Sequence, residues 1–137
     1  MSIDITWGRG DGATSVSTVA DLDATLDTIS HAHAEQMPYC VTLIAPGAGE
    51  FPVMLDICVG HPERSIVYHI AADGSSGWGY QPDLEPGARF SFDYAGTPTD
   101  AWPERTRVTD ATARQAARQF LTSGGQRPDA LAWETDE

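Results

Sequence analysis

The last thirty residues constrain the fold most. Over residues 109–121, Ala113, Ala116, Ala117, Phe120 and Leu121 recur at helical spacing and make one narrow apolar stripe. Thr109 suits an N-cap, and Asp110 places negative charge at the positive end of the helix dipole. Small alanines let such a helix lie close to a sheet, and Gly124 and Gly125 end it because glycine accepts positive φ. Pro128 bars further helix, so the chain turns into a short terminal strand that seats Trp133. The unit is a helix laid across a sheet, with the chain returning as one more strand.

Upstream, residues 3–7 alternate apolar and polar and read as a first strand burying Ile3, Ile5 and Trp7. Thr18 with Asp21 three residues on resembles a capping box. It opens a helix with the stripe Val19, Leu22, Leu26 and Ile29, and with Asp21, Asp23 and Asp27 mostly on the other side. Pro38 stops it. Strands are expected over 39–45, 51–60, 65–71, 78–80 and 89–94, separated by Gly-, Pro- and Asp-rich turns. Residues 96–104 read as a loop around Trp102, and Val108 ends a short extended piece. Most links are too short for crossovers, so strands should pair antiparallel. The expected fold is α+β: one domain over 1–137, a mainly antiparallel sheet of about six strands, and two helices packed on one face.

Charge narrows the partners. Twenty acids face eight bases, every base is Arg, and the formal net charge is −12. Residues 1–60 carry eight acids against Arg9 alone. Phosphate binding needs basic patches, so neither nucleic acid nor an anionic membrane is the expected partner. The balance favours a cationic partner or simply high solubility. No apolar run is long enough for a membrane-crossing helix. The N-terminus lacks the basic and apolar regions of a secretory signal, which makes the cytoplasm the expected compartment. Cys40 and Cys58 lie in apolar strand-like runs and read as buried, reduced thiols.

Catalytic signatures are scarce. His31, His33, His61 and His69 form no metal-binding spacing, so no metal or cofactor is expected. His31 and His33, two apart on a helix, point in different directions. The Arg-Gly-Asp tripeptide at 9–11 is too short to carry an adhesion reading. Neither a C-x-x-C motif, a G-x-S-x-G elbow nor the deaminase pattern H-x-E with P-C-x-x-C occurs. Asp56 and His69 lie on neighbouring expected strands; together they would suit a small α+β enzyme or ligand-binding domain, and facing opposite ways they would not. No catalytic residue is assigned and no enzyme is expected. What remains is a binding surface: Glu63, Asp73, Asp83, Glu85, Asp100 and Glu104, interleaved with Trp78, Tyr80 and Trp102. Aromatic side chains anchor interfaces while carboxylates steer a basic partner. Acidic turns whose rings fold back onto the core fit the same residues. A general protein-interaction module is a third reading.

Several short pieces occur in a telling order. They are Phe90-x-Phe92-x-Tyr94-x-Gly96, an acidic loop holding Trp102, Val108 before an Ala- and Arg-rich helix, then Phe120-Leu121, a glycine, Arg127-Pro128 and Trp133. In this order the sequence resembles immunity protein family one of bacterial polymorphic toxin systems, over nearly the whole chain. It departs from the family in the doubled Gly124-Gly125 with Gln126, where one glycine often stands close to the Arg-Pro. The resemblance implies a cytoplasmic protein that binds and neutralises a cognate secreted toxin, often a nucleic-acid deaminase. Such a toxin needs a basic cleft, which an acidic protein can occlude.

Overall fold

The computed structural model describes residues 2–8, 12–32, 37–46 and 52–135. The Arg-Gly-Asp tripeptide, His33 and Phe51 lie outside them. The elements are β1 (Ile3–Trp7), β2 (Gly12–Val16), α1 (Val19–Ala32), β3 (Tyr39–Ala45), β4 (Val53–Val59), β5 (Arg64–Ser65) and β6 (Val67–Ile70). They continue with β7 (Ser76–Tyr80), β8 (Phe90–Tyr94), β9 (Thr97–Ala101), β10 (Val108–Thr109), α2 (Asp110–Ser123) and β11 (Ala132–Thr135).

The main sheet runs β11-β7-β6-β4-β3-β1-β2, and every neighbouring pair on that path is antiparallel. A hairpin of β8 and β9 joins it through one parallel bridge, Tyr39 to Asp93, and β5 pairs with β10 apart from it. The α+β class, the antiparallel sheet and the two helices are as expected, and the sheet is wider than six strands. Two strands were missed, for related reasons. β2 is an edge strand of mostly exposed polar residues, so alternation in Gly-Ala-Thr-Ser-Val is faint. Residues 97–101, read as loop, form β9, which pairs only with β8. An edge strand tolerates Pro98 because no second neighbour needs its missing N–H.

Both helices behave locally as their sequences dictate. The Thr18 hydroxyl accepts the Asp21 N–H at 3.1 Å, and the Thr109 hydroxyl accepts that of Thr112 at 3.2 Å. At the far end of α2, Gly124 and Gly125 take φ of 76° and 102°, and the Gly125 N–H donates to the Phe120 carbonyl at 2.9 Å. Arginines of α2 clasp α1: Arg114 meets Asp27 at 2.6 Å and Arg118 meets Asp23 at 2.8 Å.

Strand alternation then divides the molecule into two cores. On one face Ile3, Ile5, Val41, Leu43, Leu55 and Ile57 pack against Leu22, Leu26 and Ile29 of α1 and the alanine stripe and Phe120 of α2. Each fully buried large apolar side chain contributes roughly 1.5–3 kcal/mol, so this layer carries most of the stability. On the other face Cys40, Cys58 and Ile66 meet Phe92 and Ala101 of the β8–β9 hairpin, with Trp78 and Phe90 packed alongside. The hairpin crosses that face without closing it. No helix among the described residues is long and apolar enough to cross a membrane.

Candidate functional site

Between the sheet and the hairpin lies a cleft of about 490 Å³. The cross-strand register brings Cys40, Asp56, Tyr68, Ile70 and Trp78 to one wall, since Asp56 pairs with Tyr68 and Tyr68 with Trp78. Phe92, Tyr94, Asp100 and Trp102 come from the hairpin and its exit, and Glu104 and Arg105 from the 3₁₀ turn that follows. Tyr94 and Trp102, 47% and 51% exposed, are the large apolar side chains left open to solvent among the described residues. Both stand at this cleft.

The walls are ordered by ring contacts. Trp78 lies 4.6 Å from Tyr68 by centroid, and the Arg105 guanidinium sits 4.7 Å over its ring. Arg105 also meets Glu134 at 3.4 Å. Arg89 lies 5.1 Å over the Trp102 ring. Phe90 stacks on His61 at 4.3 Å, fixing the hairpin's other end.

At the base sits Asp56, only 6% exposed, whose Oδ1 accepts the Thr42 hydroxyl at 2.6 Å. Burial pushes the Asp56 carboxyl above its ordinary range, and the Thr42 hydrogen bond opposes that in part. The Asp56 charge, then burial, pushes up the Tyr94 phenol. Burial and Asp56 also raise the Cys40 thiol well above normal, and burial raises Cys58. Thiols held protonated in this way are poor nucleophiles and poor metal ligands.

Of the binding-surface residues named from sequence, Trp78, Asp100, Trp102 and Glu104 converge on the cleft. The others do not. Tyr80 stacks under Arg107 at 5.0 Å, and Arg107 binds the Leu84 and Pro82 carbonyls, so Asp83 and Glu85 belong to a braced loop beyond that end of β7. Asp73 caps the β6–β7 turn by accepting the Ser75 N–H and hydroxyl, which lowers its carboxyl below the usual range. Glu63 is exposed beside β5, where its carbonyl accepts the Asp110 N–H. Asp56 and His69 do not meet: Asp56 is opposite Tyr68 while His69 is opposite Leu55, so their side chains leave opposite faces of the sheet. His69 faces the helix layer, where Nε2–H donates to the Gly125 carbonyl at 3.1 Å. Sequence reading missed Tyr94, placed with Phe90 and Phe92 on one strand face, and missed Asp56 as part of this cleft. The alternation of β8 carried the first signal, and the lone charge of an otherwise apolar strand the second.

Every arginine among the described residues is already engaged. Arg64 binds the Glu85 and Thr106 carbonyls, Arg107 braces its loop, Arg114 and Arg118 pair with helix carboxylates, and Arg89, Arg105 and Arg127 lie over tryptophan rings. The scaffold thus uses its cations internally and leaves carboxylates and aromatic faces outside, the character of a small α+β binding protein. The family model described as Immunity protein Imm1 matches residues 10–135, and the chain belongs to that family. It is therefore an immunity protein, which neutralises a cognate toxin by binding and not by catalysis. No curated protein matches the sequence.

Proposed function

We propose that the protein neutralises its toxin by laying the cleft face over a basic, nucleic-acid-binding surface of that toxin, in the cytoplasm. The carrying observation is the coincidence of the two open aromatic side chains, Tyr94 and Trp102, with a cleft rimmed by Asp100 and Glu104. Exposed aromatic residues around a concave site are the features that concentrate binding energy at interfaces, and the carboxylates orient a cationic partner. A toxin that acts on nucleic acid must expose basic residues to phosphate, so an acidic cover competes directly with substrate. The deaminase type of toxin follows from the family resemblance.

The test uses the cognate toxin domain. Trp102→Ala should weaken its binding by about 30-fold or more, the scale of a hot-spot anchor. In step, a labelled oligonucleotide displaced from the toxin by wild-type protein should stay bound. A toxin that binds oligonucleotide and immunity protein simultaneously would sink the occlusion reading. Asp56 with His69 as a catalytic pair finds no support in the geometry, because they lie on opposite faces.

A further inference from the structure

We propose that the cleft is a socket for one basic side chain of the toxin, an arginine or lysine, with Asp56 as its counter-ion. The inference rests on the docking face argued above and specifies what enters it.

Among the described residues, Asp56 is a buried carboxylate that no cation pairs. The ion pairs among the described residues are Arg105–Glu134, Arg114 with Asp27 and Asp110, and Arg118–Asp23. None includes Asp56, whose Oδ1 accepts a neutral hydroxyl. Buried charges in native proteins are paired, because taking an ion out of water is costly. This carboxylate lines an open cleft and not a sealed core, so a cation can reach it from outside. The volume, about 490 Å³, lies within the range of small-molecule sites, roughly 300–1,000 Å³, so the cleft has room for one long basic side chain.

The walls suit a cation as well. Tyr68, Trp78, Tyr94 and Trp102 line the cleft, and aromatic faces attract guanidinium and ammonium groups. Two of these rings already receive a guanidinium from this chain, Arg105 on Trp78 and Arg89 on Trp102. The titratable and charged groups around Asp56 come from every packed element: Cys40 of β3, Cys58 of its own strand, Tyr68 of β6, Asp93 and Tyr94 of β8, Asp100 of β9, then Glu104 and Arg105. Among the described residues the cations at the cleft are Arg105, engaged by Glu134 and Trp78, and Arg89, which lies over the Trp102 ring. With Asp56, Asp93, Asp100 and Glu104, carboxylates outnumber these two, so the local field favours an incoming positive charge.

Asp56 is poorly explained as a stabilising residue. Burial raises its carboxyl pKa, so the folded state holds the proton more tightly than the unfolded state. Its contribution is fully present below the unfolded pKa and is lost as pH rises through the folded pKa. An ionised Asp56 thus destabilises the free protein, and an arriving cation offsets that penalty in the complex.

The decisive measurement is the affinity of the purified cognate toxin domain for wild-type protein, Asp56→Asn and Thr42→Val across pH, with thermal melts of each variant. Asp56→Asn should bind about 30-fold or more weakly, the effect of removing one partner of a buried charge pair, while melting no lower than wild type near neutral pH. Wild-type affinity should rise with pH as Asp56 ionises, and this rise should vanish in Asp56→Asn. Thr42→Val keeps the carboxylate and removes the hydroxyl that favours its charge, so it should move the rise to higher pH. One arginine or lysine of the toxin, when neutralised, should weaken wild type and leave Asp56→Asn unaffected. Equal affinity and equal pH profiles for wild type and Asp56→Asn would overturn the socket. If Trp102→Ala still weakened binding in that case, the docking face would survive without it. If Trp102→Ala, Tyr94→Ala and Asp56→Asn all bound like wild type, the face itself would fall.

Discussion

His69 is held by its neighbours in a single state. It is 3% exposed, its Nε2–H donates to the Gly125 carbonyl, and its ring meets Phe120 and Trp133 edge-on at 6.0 Å. Nδ1 is the buried side-chain polar atom without a partner among the described residues. A lone pair can be left there at modest cost, but protonation would bury a charged donor among apolar groups. Burial accordingly lowers the His69 pKa, against the raising effect of the Gly125 bond. A folded pKa below the unfolded value of 6.5 means that stability is full above 6.5 and is lost as pH falls toward the folded pKa. The urea midpoint should therefore drop as pH falls below 6.5, and His69→Gln should reduce that slope. His61, whose pKa is also lowered, supplies part of the remainder. An unchanged slope in His69→Gln would show that the buried ring is not the titrating group. Sequence placed His69 and Asp56 on neighbouring strands and left their faces open, because parity across two strands depends on register. Register is a tertiary property.

Among the elements, α2 and the return to β11 form the segment whose local chemistry is most complete. Its stripe, N-cap and glycine break appear where the sequence puts them, because helical spacing and capping act within a few residues. The doubled glycine has two separate duties. Gly124 terminates the helix in the left-handed region at φ 76°. Gly125, at φ 102°, also passes so close to the sheet that a Cβ would lie 2.8 Å from Ala45 Cβ and 3.1 Å from Val53 Cγ1. Gly125→Ala should thus destabilise by about 2–4 kcal/mol, combining backbone strain with overpacking. Gly124→Ala should cost about 1–2 kcal/mol, the price of the left-handed conformation alone. Denaturant midpoints for the pair check the ranking, and equal losses would remove the packing argument. After the glycines, Arg127 lies 5.0 Å over Trp133, and the Trp133 indole N–H donates to the Pro128 carbonyl at 2.8 Å. Arg127 is thereby a structural tie. The β8–β9 hairpin was only half legible: Phe90, Phe92 and Tyr94 announce β8, whereas β9 has no apolar alternation to reveal it.

At the scale of the molecule, the charge of −12 is organised, not just abundant. Arginines among the described residues lock helices, loops and rings, while Asp83, Glu85, Asp100 and Glu104 remain exposed. A field of that kind acts at long range on encounter, whereas apolar anchors act after contact. The association rate with the cognate toxin should fall on the order of 10-fold or more from low to high salt, with a much smaller change in dissociation rate. Rapid-mixing kinetics at two salt concentrations would check this, and a salt-insensitive association rate would count against electrostatic steering. The net charge was countable from sequence. Its division between internal pairs and exposed carboxylates was not, since that depends on which carboxylate each arginine reaches.

By itself the sequence determined what is local or additive: the helices and their caps, the glycine break, the apolar strands, the acidic balance, and an ordered set of short pieces that pointed to the family. The tertiary structure alone decided that Asp56 and Tyr94 line one cleft with Trp78 and Trp102, and that Asp56 and His69 stand apart. The physical reason is the range of the interactions. Periodicity and capping are satisfied by residues within one element, while a cleft exists only once the β8–β9 hairpin, anchored at Tyr39 and Asp93, folds across the second face of the sheet.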